Sequence, residues 1–400
     1  MQYRYSEAVD EFVALFGNSE DIRVFSAPGR SEIGGNHTDH QHGCVLCAGI
    51  DLDIIAIVKK TDNGIIRVKS KGYPMDVIDL GELEPKPEET DHAPSLIRGV
   101  AARFNQLGYK IGGFDAYTTS NVLKGSGLSS SAAFEVMICT LLNNLYNEGK
   151  MSPVEVAKVS QYAENVFFGK PCGLLDQMAC SVSGFVGIDF KDTEAPIIEK
   201  VEFDFSKVGH SLCIVDTGGS HSDLTDEYAA VPSEMKQVAA FFGKEVLRDV
   251  DADEFYGSIA VLRRKVSDRA ILRAIHFFED NERAVKLKDY LKNNDFDGFL
   301  KTVSESGRSS LAYLQNVYAS SAPSEQGLTL ALGITERLLG DRGAFRVHGG
   351  GFAGTIQAYV PDDMLQNYKS SIEKVFGANS CHVLSVRPVG GVELTPEFGR

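Results

Sequence analysis

A chain of 400 residues that is 43% hydrophobic and 24% charged is too apolar for a disordered tail, and it has length for two or three domains. Lys and Arg number 40 against 55 Asp and Glu, a formal charge of -15, so the surface repels nucleic-acid backbones and anionic membranes and neither partner is expected. The longest apolar runs, such as Cys44 to Ile50, fall far short of the roughly 20 residues a membrane span needs.

The amino-terminal stretch MQYRYSEAVDEFVALFG reads as an amphipathic helix, with Glu7, Asp10 and Glu11 where a secretory leader would place its apolar core. A cytoplasmic protein is expected. Seven cysteines, an odd count in a long chain, then read as buried thiols rather than a disulfide framework. Cys44 and Cys47 form a C-x-x-C inside an apolar run, which reads as strand packing. Strands are expected over DIRVFSAPG, CVLCAGIDLDIIAIVKK and GIIRVKSKG, and a long helix over AAFEVMICTLLNNLYNEG. Ser152, Pro153 and Glu155 announce a further helix running to about Phe168. FVGIDF and HSLCIVDT come next as strands, then charged helices from about 230 to 320. The order TIQAYV, DDMLQNYKSSIEKVFG, HVLSVRP reads as strand, helix, strand, a βαβ unit suited to a ferredoxin-like domain. The whole is α+β, with units expected at 1–207 and 208–400.

Four segments can carry chemistry. Leu123 to Ala133, LKGSGLSSSAA, joins glycines and serines to a helix start; such a loop can cradle phosphate on backbone N–H groups, or it is an ordinary Ser cap after a turn. Ala27 to Gly43, APGRSEIGGNHTDHQHG, sets Arg30, His37, Asp39, His40 and His42 in a glycine-punctuated loop after a strand. Hydrogen bonding to a polyhydroxylated ligand through Asp39 and His37 is the reading there, against a solvated polar loop. In Gly343 to Gly354, GAFRVHGGGFAG, a formal G-x-G-x-x-G precedes a β-branched strand instead of a helix, so it fails as a dinucleotide fingerprint. PCGLLDQM places Asp176 among apolar residues, where it either caps a helix or does proton chemistry. No G-x-x-x-x-G-K-[ST] or H-R-D occurs, which excludes a Walker-type enzyme and a protein kinase.

Together, APGR with NHTDH, GSGLSSSAA, PCGLLDQ and HGGGFAG, in that order, resemble the small-molecule kinase superfamily of galactokinase, homoserine kinase and mevalonate kinase, the galactokinase branch most closely. The resemblance implies a two-domain fold, with a ribosomal-protein-like amino-terminal domain, a ferredoxin-like carboxy-terminal domain and the active site between them. It implies an ATP-dependent, magnesium-requiring sugar-1-kinase. On it, Asp176 is the base that takes, or at least orients, the proton of the anomeric hydroxyl, and Arg30 keeps Asp176 ionised. Gly125, Ser126, Gly127, Leu128, Ser129, Ser130 and Ser131 hold ATP, with Gly350 and Gly351. Ser131 and Glu164 match the magnesium positions, and Asn36, His37, Asp39, Gly173 and Tyr228 the sugar positions.

The departures bear on the sugar. Asn36 stands where the family has a Glu that contacts the 6-hydroxyl, His40 where it has Tyr, and Ser31-Glu32 where it has Val-Asn. An ionised Glu repels a sugar carboxylate by about 1 to 4 kcal/mol at 4 Å, whereas neutral Asn does not. His37, Asp39, His40 and Gln41 also resemble the H-x-D-H-Q of plant-type galacturonate kinases. The expected substrate is galactose, the alternatives are galacturonate or a non-catalytic sugar and ATP sensor, and Glu32 is a candidate compensating carboxylate.

Overall fold

The computed structural model describes residues 2–17, 20–122, 127–170, 172–219 and 224–395. After helix α1 (Gln2–Phe16), the chain enters β1 (Arg23–Gly34), β2 (Cys44–Lys60), β3 (Ile65–Ser70) and β4 (Met75–Asp79), then α2 (Ala93–Gln106) and β5 (Phe114–Ser120). β2 is long enough to take two neighbours on one edge: residues 44–48 pair with β6 (Phe185–Asp189), residues 54–60 with β5. β1 runs antiparallel along the other edge, with bulges at Pro28/Arg30 and Glu32/Gly34. β7 (Ile197–Val201) extends this sheet beyond β6.

Alternation sorts β2 between two cores. Ile54, Ala56 and Val58 face α3 (Ser130–Tyr146) in the main core, while Ile55 and Ile57 meet Tyr5, Ala8 and Phe12 of α1. α3 is buried along most of its length, as its apolar sequence requires. The expected capping box opens α4 (Pro153–Tyr162): Glu155 N–H donates to Ser152 Oγ at 3.3 Å, and Ser152 N–H to Glu155 Oε2 at 2.9 Å. The helix continues to Phe168 as expected, but over Ala163–Phe168 it widens into a π-helical turn closed by Gly169 at φ +85°. Such widenings recur at functional sites. A short α5 (Leu175–Val182) leads into β6.

The second sheet is antiparallel, ordered β11-β8-β10-β9, from β8 (His210–Asp216), β9 (Ala344–Val347), β10 (Thr355–Pro361) and β11 (Cys381–Leu384). β10 and β11 both run antiparallel to β8, so they are parallel to each other with β8 between them. With the crossover α11 (Leu365–Phe376), this is the expected βαβ unit, split in the ferredoxin manner. Between β8 and β9 lie α6 (Thr225–Phe241), α7 (Ala252–Leu262), α8 (Asp268–Lys292), α9 (Phe296–Ser309) and α10 (Gly327–Leu339). They fill the stretch read as charged helices, and α6 to α8 share a core around Phe255 and Phe277. The chain passes from the first sheet to the second between Val201 and His210, then returns: β12 (Val392–Glu393) pairs with Phe25 and Ser26 of β1. Two residues carry no periodicity, and the sequence holds no hint of that return.

Candidate active site

β1 carries Arg30 just past its first bulge, and Arg30 reaches the first turn of α5. Its Nε and Nη2 lie 2.8 and 2.7 Å from Asp176 Oδ1. Ser129 Oγ donates to the other carboxylate oxygen, and Arg30 Nη1 donates to the Gly127 carbonyl. Asp176 therefore does not cap its helix; its carboxylate is spent on Arg30 and Ser129. Arg30 is 9% exposed, while the Asp176 side chain keeps 36% of its surface open to the cleft. Burial pushes this carboxyl up, but Arg30, Ser129 and Lys170 outweigh it and hold it below its ordinary value. Asp176 is ionised at neutral pH.

The same hydrogen bonds anchor the serine loop. Arg30 N–H donates to the Leu128 carbonyl at 3.2 Å, and a side chain on Gly29 would lie 2.9 Å from that oxygen. Gly127 (φ +72°) and Ser129 (φ +54°) are both left-handed, so the loop turns sharply before Ser130 and Ser131 begin α3, where the first N–H groups have no partner within the helix itself. Gly125 and Ser126 lie outside the described residues.

Ser131 Oγ lies 3.5 Å from Glu164 Oε1. The π turn aims Glu164 inward, 3% exposed, and Gln177 Nε2 donates to its Oε2 at 2.7 Å and to Glu135 Oε2 at 3.1 Å. Lys170 Nζ approaches Glu164 Oε1 at 3.4 Å. A hydroxyl and a carboxylate converging at this spacing fit Mg2+, which takes hard oxygens and keeps several waters. Among the described residues no group of three or more His, Cys, Asp or Glu gathers to hold a metal more completely.

The loop after β1 supplies the sugar-side candidates. His37, at φ +58°, sits at the end of a directed chain: Leu247 N–H donates to Gln41 Oε1 (3.0 Å), so Gln41 Nε2 faces His40 Nδ1 (3.4 Å). His40 Nε2 then meets His37 Nδ1 (3.3 Å), and His37 Nε2 donates to the Gly350 carbonyl (3.0 Å). Burial, with His37 and Lys236 nearby, drives His40 well below the ordinary histidine value, which keeps it neutral. The Asp39 carboxylate is half-buried opposite Gly173, where a Cβ would come within 3.2 Å of it. Burial raises Asp39 above its ordinary value, and the partial offset from His37 does not reverse the shift.

Asn36 is fully buried. Its Nδ2 donates to Glu32 Oε1 at 3.0 Å and the Gly349 carbonyl at 2.7 Å; its Oδ1 accepts from Asn316 at 2.9 Å and Ser310 at 3.4 Å. No position of that amide is left for a ligand. Its backbone is held as firmly, N–H to Asp280 and carbonyl to His276, each at 2.9 Å.

The third glycine motif closes the cleft as the loop between β9 and β10, with the strand after it that ruled out a dinucleotide fingerprint. Gly349 faces Gly127, where a Cβ would stand in ordinary contact, 4.0 Å from the Gly127 Cα. A Cβ on Gly350 would strike the Tyr228 ring at 2.7 Å, and Tyr228 Oη donates to the Gly351 carbonyl at 2.9 Å. Direct contacts thus join Arg30, Asp176, Gly127 and Ser129, set Asp39 against Gly173 and Ser131 against Glu164, and tie His37 and Tyr228 to Gly350 and Gly351. Sequence reading missed the supports: Glu135, Gln177, His276, Asp280, Asn316 and Arg346. Gln177 is adjacent to Asp176, Glu135 follows the serine loop on α3 and Arg346 lies within the third glycine motif, whereas His276, Asp280 and Asn316 come from elements outside every motif.

Two family models match the chain, the galactokinase galactose-binding signature over residues 10–60 and the GHMP kinases N terminal domain over residues 95–184. A galactokinase of Glaesserella parasuis is 30% identical over 373 residues, covering 90% of this chain and 91% of the relative. One of Streptomyces coelicolor is 29% identical over 369 residues, 92% of each. Among solved structures, Lactococcus lactis galactokinase complexed with galactose superposes with a TM-score of 0.81 at 20% identity, covering 98% of this chain and all of that one. Methanococcus jannaschii mevalonate kinase superposes at 0.66 with 14% identity, covering 92% and 100%; these two likenesses speak to fold. Four motifs folded onto one cleft, on an architecture of this kind, and 30% identity along nine-tenths of the chain place it in the galactokinase family.

Proposed function

We propose that this protein moves the γ-phosphoryl group of ATP to the anomeric hydroxyl of galactose, giving galactose 1-phosphate and ADP. The observation that carries the reading is the Asp176 carboxylate, held ionised by Arg30 and Ser129 beside the loop that opens α3. Phosphoryl transfer passes through a loose, charged transition state, so positioning and electrostatics do most of the work.

Each part of the cleft has a task in it. The N–H groups at the start of α3, with Gly127 next to them, receive the phosphates. Asp39, opposite Gly173, accepts from sugar hydroxyls, and Tyr228 and His37 fix the Gly350–Gly351 backbone against the sugar. Asp176 orients the attacking hydroxyl and accepts its proton. Arg30 balances the charge on Asp176 and on the transferring group. Ser131 and Glu164 would hold Mg2+, which when bound neutralises phosphate charge. Residues 1–207 carry the serine loop and the base, residues 208–400 the glycine loop that closes over them.

The Asn36 amide is consumed by Glu32, Gly349, Ser310 and Asn316 and so contacts neither sugar; support for galactose over galacturonate comes from the galactokinase relatives. ADP release with Mg-ATP, measured against galactose, galacturonate, N-acetylgalactosamine, glucose and arabinose at equal concentration, tests the proposal. Galactose is expected to lead; silence across the panel with ATP still bound would replace the kinase by a sensor. Asp176→Asn should lower kcat by about 10²–10⁴-fold while ATP binding stays within a few-fold, and a kcat near that of the wild type would remove Asp176 as base.

A further inference from the structure

We propose that Glu32 is the residue that selects a neutral sugar over a sugar acid, and that Asn36 and Arg346 are positioning residues for it. The proposal rests on the sugar-kinase reading above.

Between the two bulges of β1 the strand is regular, with Arg30 opposite Gly49 and Glu32 opposite Cys47. Residues two apart share a face, so Glu32 stands on the same side of β1 as Arg30 and borders the same cleft. Its charge acts on both Arg30 and Asp39. Glu32 Oε1 accepts from Arg346 at 2.6 Å and from Asn36 at 3.0 Å. Among the described residues no hydrogen bond reaches Oε2, and the side chain keeps 11% of its surface exposed. Arg346 is fully buried, and its other branch is spent on the Ile33 carbonyl at 2.7 Å.

The two side chains therefore clamp one oxygen of Glu32 and leave the other for a ligand. The cations bonded within the cleft are already committed: Arg30 to Asp176, Arg346 to Glu32, Lys170 to Glu164. A sugar hydroxyl can donate to the remaining Glu32 oxygen. A sugar carboxylate would instead face the carboxylates of Glu32 and Asp39. Where the family pattern sets Asn at the earlier position and Glu four residues later, this chain has Glu32 and Asn36. The exchange conserves the pair and moves the carboxylate.

The test compares kcat/KM for galactose and galacturonate in the wild type and in Glu32→Gln, both sugars on one preparation so that the ratio is independent of the folded fraction. The same ratio is read as dissociation constants by calorimetry with a non-hydrolysable ATP analogue. In the wild type galactose should win by about tenfold or more. In Glu32→Gln the preference should fall to about twofold or less, with KM for ATP unchanged. If Glu32→Gln does not fold because Arg346 loses its partner, Glu32→Gln combined with Arg346→Met removes the orphaned charge and should give the same loss of preference. A preference kept by the variants, or a wild type that favours galacturonate, overturns the proposal. Selective binding of galactose that depends on Glu32 but yields no ADP overturns the kinase reading and leaves Glu32 standing; binding of neither sugar overturns both.

Discussion

At the scale of single residues, the site is a set of carboxylates held in different protonation states. Asp176 is depressed and Asp39 raised, so the two separate as the medium is acidified. Asp39 takes a proton first and ceases to accept from sugar hydroxyls, while Asp176 remains ionised below the ordinary carboxylate range. KM for the sugar should therefore climb at mildly acidic pH before kcat falls; a kcat that falls first would contradict the roles given to the two residues. Glu135 is the third case. It is fully buried, its Oε1 and the Gln177 Oε1 have no partner among the described residues, and the two side chains are already joined by Gln177 Nε2–H to Glu135 Oε2. One proton on Glu135 Oε1 can serve both orphan atoms. Burial and the neighbouring Glu164 raise this carboxyl well above its ordinary 4.5. A raised folded-state value gives stability that is present at low pH and lost as pH rises through it. Glu135→Gln does not titrate, so its melting temperature should gain on the wild type from pH 5 to pH 8, by about 1–3 °C. A difference that stays flat with pH would show Glu135 ionised throughout.

Among the elements, the π turn at Ala163–Phe168 is open to a direct experiment. One extra residue per turn rotates the downstream residues relative to the α-helix before it, and Glu164 sits at the start of that widening. Deleting Val166, which is 48% exposed, should restore regular α geometry and disturb the Glu164–Gln177 bond with little loss of core. Raised Mg2+ demand, read by Mn2+ titration of the protein as well as by activity, is the expected outcome; unchanged Mn2+ affinity would separate the turn from the cation. The elements show how far sequence reasoning reaches. The capping box at Ser152 and the alternation of β2 are local, and each was legible. The four motifs were legible because small, polar and glycine residues in those orders serve few purposes besides gripping ligands. The π turn was not, since no residue type in Ala163–Phe168 marks it. Nor was the buried support around Asn36, whose partners Asp280, Asn316 and Gly349 lie more than 240 positions on. Contacts of that separation leave no periodicity to read.

At the scale of the whole molecule, the two sheets share one cleft, and the seam is polar. Ser31 and Glu32 of β1 meet Arg346, His348 and Gln357 from the second sheet, with Gln357 Nε2 2.8 Å from Ser31 Oγ and His348 Nε2 3.1 Å from it. Replacing Gln357 by Leu strands those groups while keeping volume, and should cost about 1–3 kcal/mol, checked by urea denaturation. A loss below that range would mean water replaces the amide.

The return of β12 to the first sheet has a consequence for how this chain is born. Leu394 N–H bonds to the Val24 carbonyl at 2.7 Å, and Gly390 and Gly391 thread so close to Ser181 and Thr140 that neither could carry a side chain. A ribosome reading from the amino end must make nearly everything else before residue 393 exists to cover β1. Until then that strand offers an open edge, the kind of surface on which nascent chains join one another. Premature termination between the glycine loop and β12 thus leaves a product with its catalytic residues translated and its first sheet unsealed.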